Sequence, residues 1–455
     1  MSPLLAQDTV AALDLRLAQE QARCRLPSVA AALVRDGRMV WSGAAGTLDA
    51  TPDGISATPD TQYRIGSITK TLVATQVLRL VGEGRVSLSD RIGEHLPELD
   101  WPVTVAQLLT HTSGLEAENR GPWWERTPGG SFADLVSSRP ALLSAPGTRF
   151  HYSNTGFAVL GELVARSRGA SWEQTVRGDL LAPLGMTRTS TRPDPAGPAA
   201  PGWGVHPFAD VAVPEPEHDA GAFAPAGQLW ASVEDLARWA VFAARGDAAV
   251  LDPELHRLMR VPVAVSDVPE QPWGAAHGLG WQVWNVDGRR FVGHGGSMPG
   301  FLAGLRVDVE SGDGVVVLCN ATSGLGSLAT DLLTLLTDRE PIAPTPWTRQ
   351  PDQTGDLVLA GDWFFGTTRF ALRLVGERLR LGTPGVGRGA EFVRSPADPN
   401  TWIGTGGYYA GEPLTVHRDA DGSITHLQVA SFVFTRTPYD PAAPVPGDVD
   451  PRGWF

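Results

Sequence analysis

Lys70 is the only lysine in a chain of 455 residues, so every other basic side chain among its 37 is arginine. Arginine stays protonated at any working pH, whereas a desolvated lysine can lose its proton and act as a base. A lysine kept where arginine serves everywhere else points to that property. Ser67 stands three residues earlier, in Ser67-Ile68-Thr69-Lys70. Positions i and i+3 share one helix face, which sets the amine beside the hydroxyl. A neutral amine there takes the serine proton and turns the oxygen into a nucleophile. A helix N-terminus also favours the negative charge that develops nearby. Alone, Ser-x-x-Lys is a weak pattern, and the single lysine is what strengthens it.

Two further clusters could complete such a site. Tyr152-Ser153-Asn154 offers a phenol, which as a phenolate held by Lys70 would relay protons, and an amide that would hold a substrate carbonyl. Taken alone, a turn with an asparagine in the left-handed region is the plainer reading. Gly293-His294-Gly295-Gly296-Ser297 offers glycines at Gly295 and Gly296 that admit a substrate backbone closely. The Ser297 N–H would pair with that of Ser67 as an oxyanion hole, and His294 would add a hydrogen-bond donor. His111, in His111-Thr112-Ser113-Gly114, reads as a loop brace. No Gly-x-Ser-x-Gly elbow, phosphate loop, dinucleotide fingerprint or metal-ligand spacing occurs. No metal or cofactor is therefore expected.

These residues need elements to hold them. Residues 28–45 read as two strands around a tight turn. Residues 63–80 read as a helix carrying Ser67 and Lys70, with shorter helices at 103–109, 157–167 and 172–181. Residues 191–227 hold eight prolines without a steady period and read as a long loop. Ser232 caps a helix to residue 244. Strands follow over 279–286, 290–294, 304–309 and 314–320, and then a helix over 325–336. The pattern predicts an α/β domain over residues 1–340, with an antiparallel sheet flanked by helices plus a helical subdomain. A Pro-rich linker spans 341–352. Short strands with turn signals over 353–455 predict a small antiparallel β-barrel.

Composition narrows the partners. The net charge is −13 without a basic run, which argues against nucleic acid. No stretch approaches 18 uninterrupted apolar residues, so no membrane span is expected. The first 26 residues read as an amphipathic helix and not as an export signal. Two cysteines, Cys24 and Cys319, cannot build a disulfide framework, which fits a reducing, cytoplasmic setting.

Ser-x-x-Lys, Tyr-x-Asn and His-x-Gly in this order resemble the serine β-lactamase and penicillin-binding-protein superfamily. Segments 63–67, 108–115, 225–239 and 293–301 resemble its class C and esterase branch, and the resemblance covers roughly residues 10–338. His294 departs from the lysine of many members. That departure is common in the esterase, D-amino-acid amidase and peptide-cyclase branches. The tail is similar to a lipocalin-like domain found on some of these enzymes. Length, missing export signal and tail together most resemble the penicillin-binding-protein-type thioesterases, which cyclise nonribosomal peptides. The resemblance implies catalytic Ser67, Lys70, Tyr152, Asn154 and His294. It implies a peptidyl thioester on a carrier protein as partner, and substrate contacts at Gly227, Trp230 and Arg436. The tryptophans Trp123, Trp124, Trp230, Trp273 and Trp281 would line an apolar cleft.

Overall fold

A computed structural model describes residues 4–349, 351–383 and 386–452. The chain forms two compact units that divide between Ile342 and Ala343. In the first, eight antiparallel strands make one sheet: β1 (Ser28–Arg35), β2 (Arg38–Gly46), β3 (Ala264–Val265), β4 (Ala275–His277), β5 (Gln282–Val286), β6 (Arg289–Met298), β7 (Phe301–Asp308) and β8 (Gly314–Cys319). Their order is β2-β1-β8-β7-β6-β5-β4-β3. The first strand pair and the late strands thus join into one layer, as the sequence pattern predicts.

Alternation along β1 sorts the two cores. Val29, Ala31 and Leu33 face a layer built from α1 (Gln7–Arg23) and α5 (Leu328–Arg339). Ala30, Ala32 and Val34 face α2 (Thr69–Gly82), α3 (Asn154–Arg168) and α4 (Val233–Arg245). A strand buried on both faces must be apolar throughout, and residues 28–34 are small or aliphatic. The layers are tied at the chain ends: Arg35 makes a two-bond ion pair with Asp313, and Glu340 accepts from Ala6 N at 2.8 Å and Thr9 Oγ1 at 2.7 Å. Cys24 and Cys319 are both free thiols.

Three expectations need correction. Residues 63–68 are not helical from the start: Tyr63–Arg64 pairs as a strand with Trp230–Ala231, and a 3-10 turn over Gly66–Ile68 precedes α2. Helix α3 begins at Asn154 because Ser153 caps it, accepting from Gly156 N at 3.0 Å. The proline-rich stretch contains a hairpin of Trp203–Val205 with Ala212–Pro214 and a short helix Ala224–Gly227.

In the second unit, eight strands follow chain order: Gly361–Phe365, Thr368–Val375, Arg378–Thr383, Val386–Arg394, Thr401–Gly404, Pro413–Arg418, Ile424–Val429 and Phe432–Phe434. Phe364 and Thr435 exchange backbone hydrogen bonds at 2.8 and 3.0 Å, which brings the last strand round to the first. The result is a nearly closed antiparallel barrel. Trp363, Phe392, Trp402 and Phe434 are buried in its core. Among the described residues no helix is long and apolar enough to cross a membrane.

Candidate active site

The 3-10 turn sets Ser67 just ahead of α2, and the first turn of α2 carries Lys70 inward. Lys70 is 0% exposed. Its Nζ lies 2.9 Å from Ser67 Oγ and donates to Ala226 O at 2.7 Å. The Tyr152 ring centroid is 5.0 Å from Nζ. Burial pulls the lysine down from 10.5 to about 7, against the smaller opposing pull of the Glu118 and Glu125 carboxylates. A large part of the lysine is therefore neutral near pH 7 and can accept the serine proton.

Tyr152 comes from the loop before α3, and His111 fixes that loop. His111 stacks on the Tyr152 ring at 4.2 Å, its Nδ1 accepts from Ser153 N at 3.0 Å, and its carbonyl accepts from His151 N at 2.7 Å. Burial raises the Tyr152 phenol above its ordinary value, while its hydrogen bond with Ser67 opposes the rise. That shift favours the neutral phenol over the expected phenolate. The phenol can still pass a proton between Ser67 and a leaving group.

Asn154 sits at the first position of α3, and its Nδ2 donates to Glu118 Oε1 at 2.5 Å. The other Glu118 oxygen accepts from Trp124 Nε1 at 2.7 Å. The amide expected to hold a substrate carbonyl is thus engaged with a carboxylate that the sequence reading did not single out.

Strand β6 forms the opposite wall. It pairs with β5 only up to Gly293, whereas its pairing with β7 runs on to Met298. Beyond Gly293 the β5-facing edge is open. Gly295 N donates there to the Gln282 side chain at 3.0 Å. By the two-residue alternation of a strand, the Ser297 N–H faces the same edge. Two glycines bring this edge against Ser67. A Cβ on Gly66 (φ +49°) would lie 2.6 Å from Ser297 N, and one on Gly296 would lie 2.0 Å from Ile65 O. The Ser67 and Ser297 backbones therefore lie side by side, the proximity that the expected oxyanion hole requires.

His294 is buried, and burial pulls its imidazole down to about 3. Its Nδ1 lies 2.5 Å from Gly295 O. A carbonyl only accepts, so Nδ1 carries the hydrogen and Nε2 is an acceptor. The expected donor is an acceptor at the atom not engaged by the backbone.

Gly227 is buried beside the site, its Cβ position 3.1 Å from Met298 Sδ and 3.7 Å from the Gly66 carbonyl carbon, next to the Ala226 carbonyl that accepts from Lys70. The other expected contacts lie in cores or on the surface. Trp230 is buried edge-on against Phe301, and Trp281 stacks on Trp239, so both are core residues. Trp124 stacks on Phe223, while Trp123 and Trp273 are exposed, the latter at 74%. No common tryptophan-lined cleft results. Arg436 lies 3.9 Å from the Trp363 ring centroid inside the barrel unit and donates to three backbone carbonyls of residues 358–362. Among the described residues no group of three or more His, Cys, Asp or Glu could hold a metal ion. Sequence reasoning missed Ala226, which acts through its backbone carbonyl and leaves no side-chain signal.

Comparison with known proteins places the chain in a family. Residues 353–436 match a domain of unknown function, DUF7586. Penicillin-binding protein 4 of Amycolatopsis lactamdurans is 29% identical over 62% of this chain and 78% of its own length. Protein flp of Staphylococcus aureus is 24% identical over 70% of this chain, which spans only 64% of that relative. Among solved structures, the octameric penicillin-binding protein homologue from Pyrococcus abyssi aligns over 94% of this chain and all of its own at TM-score 0.65 and 23% identity. D-amino acid amidase from Ochrobactrum anthropi SV3 aligns over 73% of this chain and 99% of its own at TM-score 0.64 and 22% identity. SurE with D-Leu aligns over 95% of this chain and all of its own at TM-score 0.59 and 22% identity. At these identities the structural likeness concerns the fold alone. The family model described as Beta-lactamase matches residues 13–337, most of the chain, and the chain belongs to that family.

Proposed function

We propose that this serine hydrolase of the β-lactamase and penicillin-binding-protein superfamily is an acyltransferase that cyclises peptides. The observation that carries the acyl chemistry is the buried, readily deprotonated Lys70 beside Ser67. Neutral Lys70 takes the Ser67 proton as Oγ attacks the carbonyl of a peptidyl thioester. The oxyanion forms between the Ser67 and Ser297 amides. Collapse breaks the carbon–sulfur bond, and the leaving thiolate receives a proton from the Lys70 ammonium by way of the Tyr152 phenol. The peptide's own amine then attacks the ester, gives its excess proton to Lys70, and Ser67 recovers its hydrogen. Holding that amine in line raises its effective molarity to about 10⁵ M or more, enough to compete with water.

A D-residue at the acyl end is part of the proposal. D-amino acid amidase and SurE with D-Leu share the fold, and SurE aligns along nearly the whole chain. The second reading is a D-amino-acid amidase or esterase, supported by the amidase aligning over 99% of its own length. Mixing the protein with a peptidyl thioester bearing a free amino terminus and a C-terminal D-residue separates the two. A ring one water lighter than the linear acid is the expected product. Linear acid alone, with fast turnover of D-amino acid amides, assigns the second reading. Ser67→Ala is expected to abolish both turnover and the acyl adduct seen by intact mass. An adduct persisting on that variant excludes Ser67 as nucleophile.

A further inference from the structure

Residues 277–282, His-Gly-Leu-Gly-Trp-Gln, lie outside the three motifs, yet their contacts reach the segments that carry all three. They turn the chain from β4 into β5: His277 stands opposite Gln282 in register, and Gly278 N donates to Trp281 O at 2.9 Å. Trp281 is buried and stacks on Trp239, which anchors the turn in the core. Gly280 N donates to Leu109 O at 3.1 Å, two residues before His111. Gly280 also lies against α2, where a Cβ on it would stand 2.2 Å from that of Ala74, one helical turn beyond Lys70.

The two ends of the turn engage the other two motifs. Gln282 Oε1 accepts from Gly295 N at 3.0 Å and so ties β6 two residues before Ser297. His277 is 4% exposed, and its ring lies among those of Phe150, His111, Tyr152 and His294, at centroid distances of 4.5, 5.2, 6.1 and 6.3 Å. Burial pulls its imidazole down to about 4, so near pH 7 it is an uncharged ring. Its Nδ1 is buried with no partner among the described residues, and what holds the ring is packing against its neighbours.

We propose that His277 is a positioning residue for proton transfer: its ring braces the Tyr152 loop against β6, so that the Tyr152 phenol stands between Ser67 and the leaving group. The inference rests on the proposed acyl transfer at Ser67 and names the step that His277 serves. In that step the phenol gives its proton to the departing atom as the bond to the acyl carbon breaks, and the Lys70 ammonium returns a proton to the phenolate oxygen. A misplacement of about 1 Å can cost about 10²-fold in a reaction of this kind.

The leaving group reads this step. N-acetyl-D-phenylalanine methyl ester must have its departing oxygen protonated, whereas the p-nitrophenyl ester releases a stable anion, and kcat/KM reports acylation for both. His277→Ala is expected to lower kcat/KM about tenfold or more for the methyl ester and less than about twofold for the p-nitrophenyl ester. His277→Leu fills the volume without a flat ring and takes its place if His277→Ala fails to fold. Tyr152→Phe should show the same selective loss. Adding the His277 substitution to it should cost the methyl ester nothing further, because residues that act as a unit are not additive. His277→Phe keeps the ring packing and is expected to restore methyl ester turnover. Equal losses on both esters, a further loss in the double variant, or no rescue by His277→Phe overturns the proposal. Linear acid in place of a ring from a peptidyl thioester removes the proposed cyclisation and leaves the role of His277 standing, since both esters report acylation alone.

Discussion

Lysine 70 must be buried and yet basic, and these demands oppose each other. Its amine is down near 7 in the folded chain and near 10.5 when unfolded, chiefly through burial. Catalysis needs the neutral form, so kcat/KM for an ester should fall about tenfold per pH unit below 7 and level off above it. A profile flat from pH 5 to 8 would remove Lys70 as the base. Lys70→Arg keeps a charge but cannot deprotonate, and its activity should drop by about 10² or more. The same shift carries a stability consequence. Between pH 7 and 10.5 the unfolded chain binds the extra proton, so stability rises with pH in that window and is lowest below it. Lys70→Met should therefore abolish turnover and raise Tm, most at pH 6 and less toward pH 10. The lysine was legible from composition because its chemistry resides in a side-chain type. Glu118 was not, because its effect on Asn154 depends on a fold that joins residues 36 positions apart.

At the scale of elements, the motif turns matter more than the helices that follow them. Leu72, Val73, Val77, Leu78 and Leu80 fall at helical spacing, and residues 63–80 therefore read as one helix. Pairing of Tyr63–Arg64 with Trp230–Ala231 overrides that local preference, and no single stretch of sequence contains both partners. The consequence is local, since the 3-10 turn at Gly66–Ile68 brings the Ser67 backbone up against β6 at Ser297. Gly66→Ala tests this directly. Its φ of +49° disfavours a side chain, and the added Cβ would displace the Ser297 backbone at 2.6 Å. Loss of one oxyanion donor costs about 10²–10³ in kcat, so a fall of that order is expected with a circular-dichroism spectrum unchanged. A normal kcat in a folded Gly66→Ala protein would show that the hole is made elsewhere. The strands of the main sheet were easier to read. Residues 314–319 are almost wholly apolar, and burial on both faces requires little else.

The whole molecule is two units with separate cores. The N-terminal unit closes on itself through Glu340, Ala6 and Thr9, all on its own side of Ile342. A chain ending at Ile342 should therefore fold and acylate Ser67 with a simple ester at a rate close to that of the full chain. If the barrel takes part in cyclisation, the same truncation should shift peptidyl thioester products from ring to linear acid. An unchanged ring-to-acid ratio would exclude the barrel from the partition. Arg436 sharpens this test, because the resemblance gives it a substrate contact while the structure gives it local work. Its guanidinium lies over Trp363 and satisfies carbonyls at Ala360 and Asp362, each at 3.1 Å. Removing it leaves those carbonyls without their donor and strips a cation–π contact from the barrel core. Arg436→Ala should lower the melting temperature of the barrel, read by Trp363 and Trp402 fluorescence, and leave ester acylation of Ser67 unaltered. An unshifted barrel melt, accompanied by a changed ring-to-acid ratio, would instead assign Arg436 to the substrate.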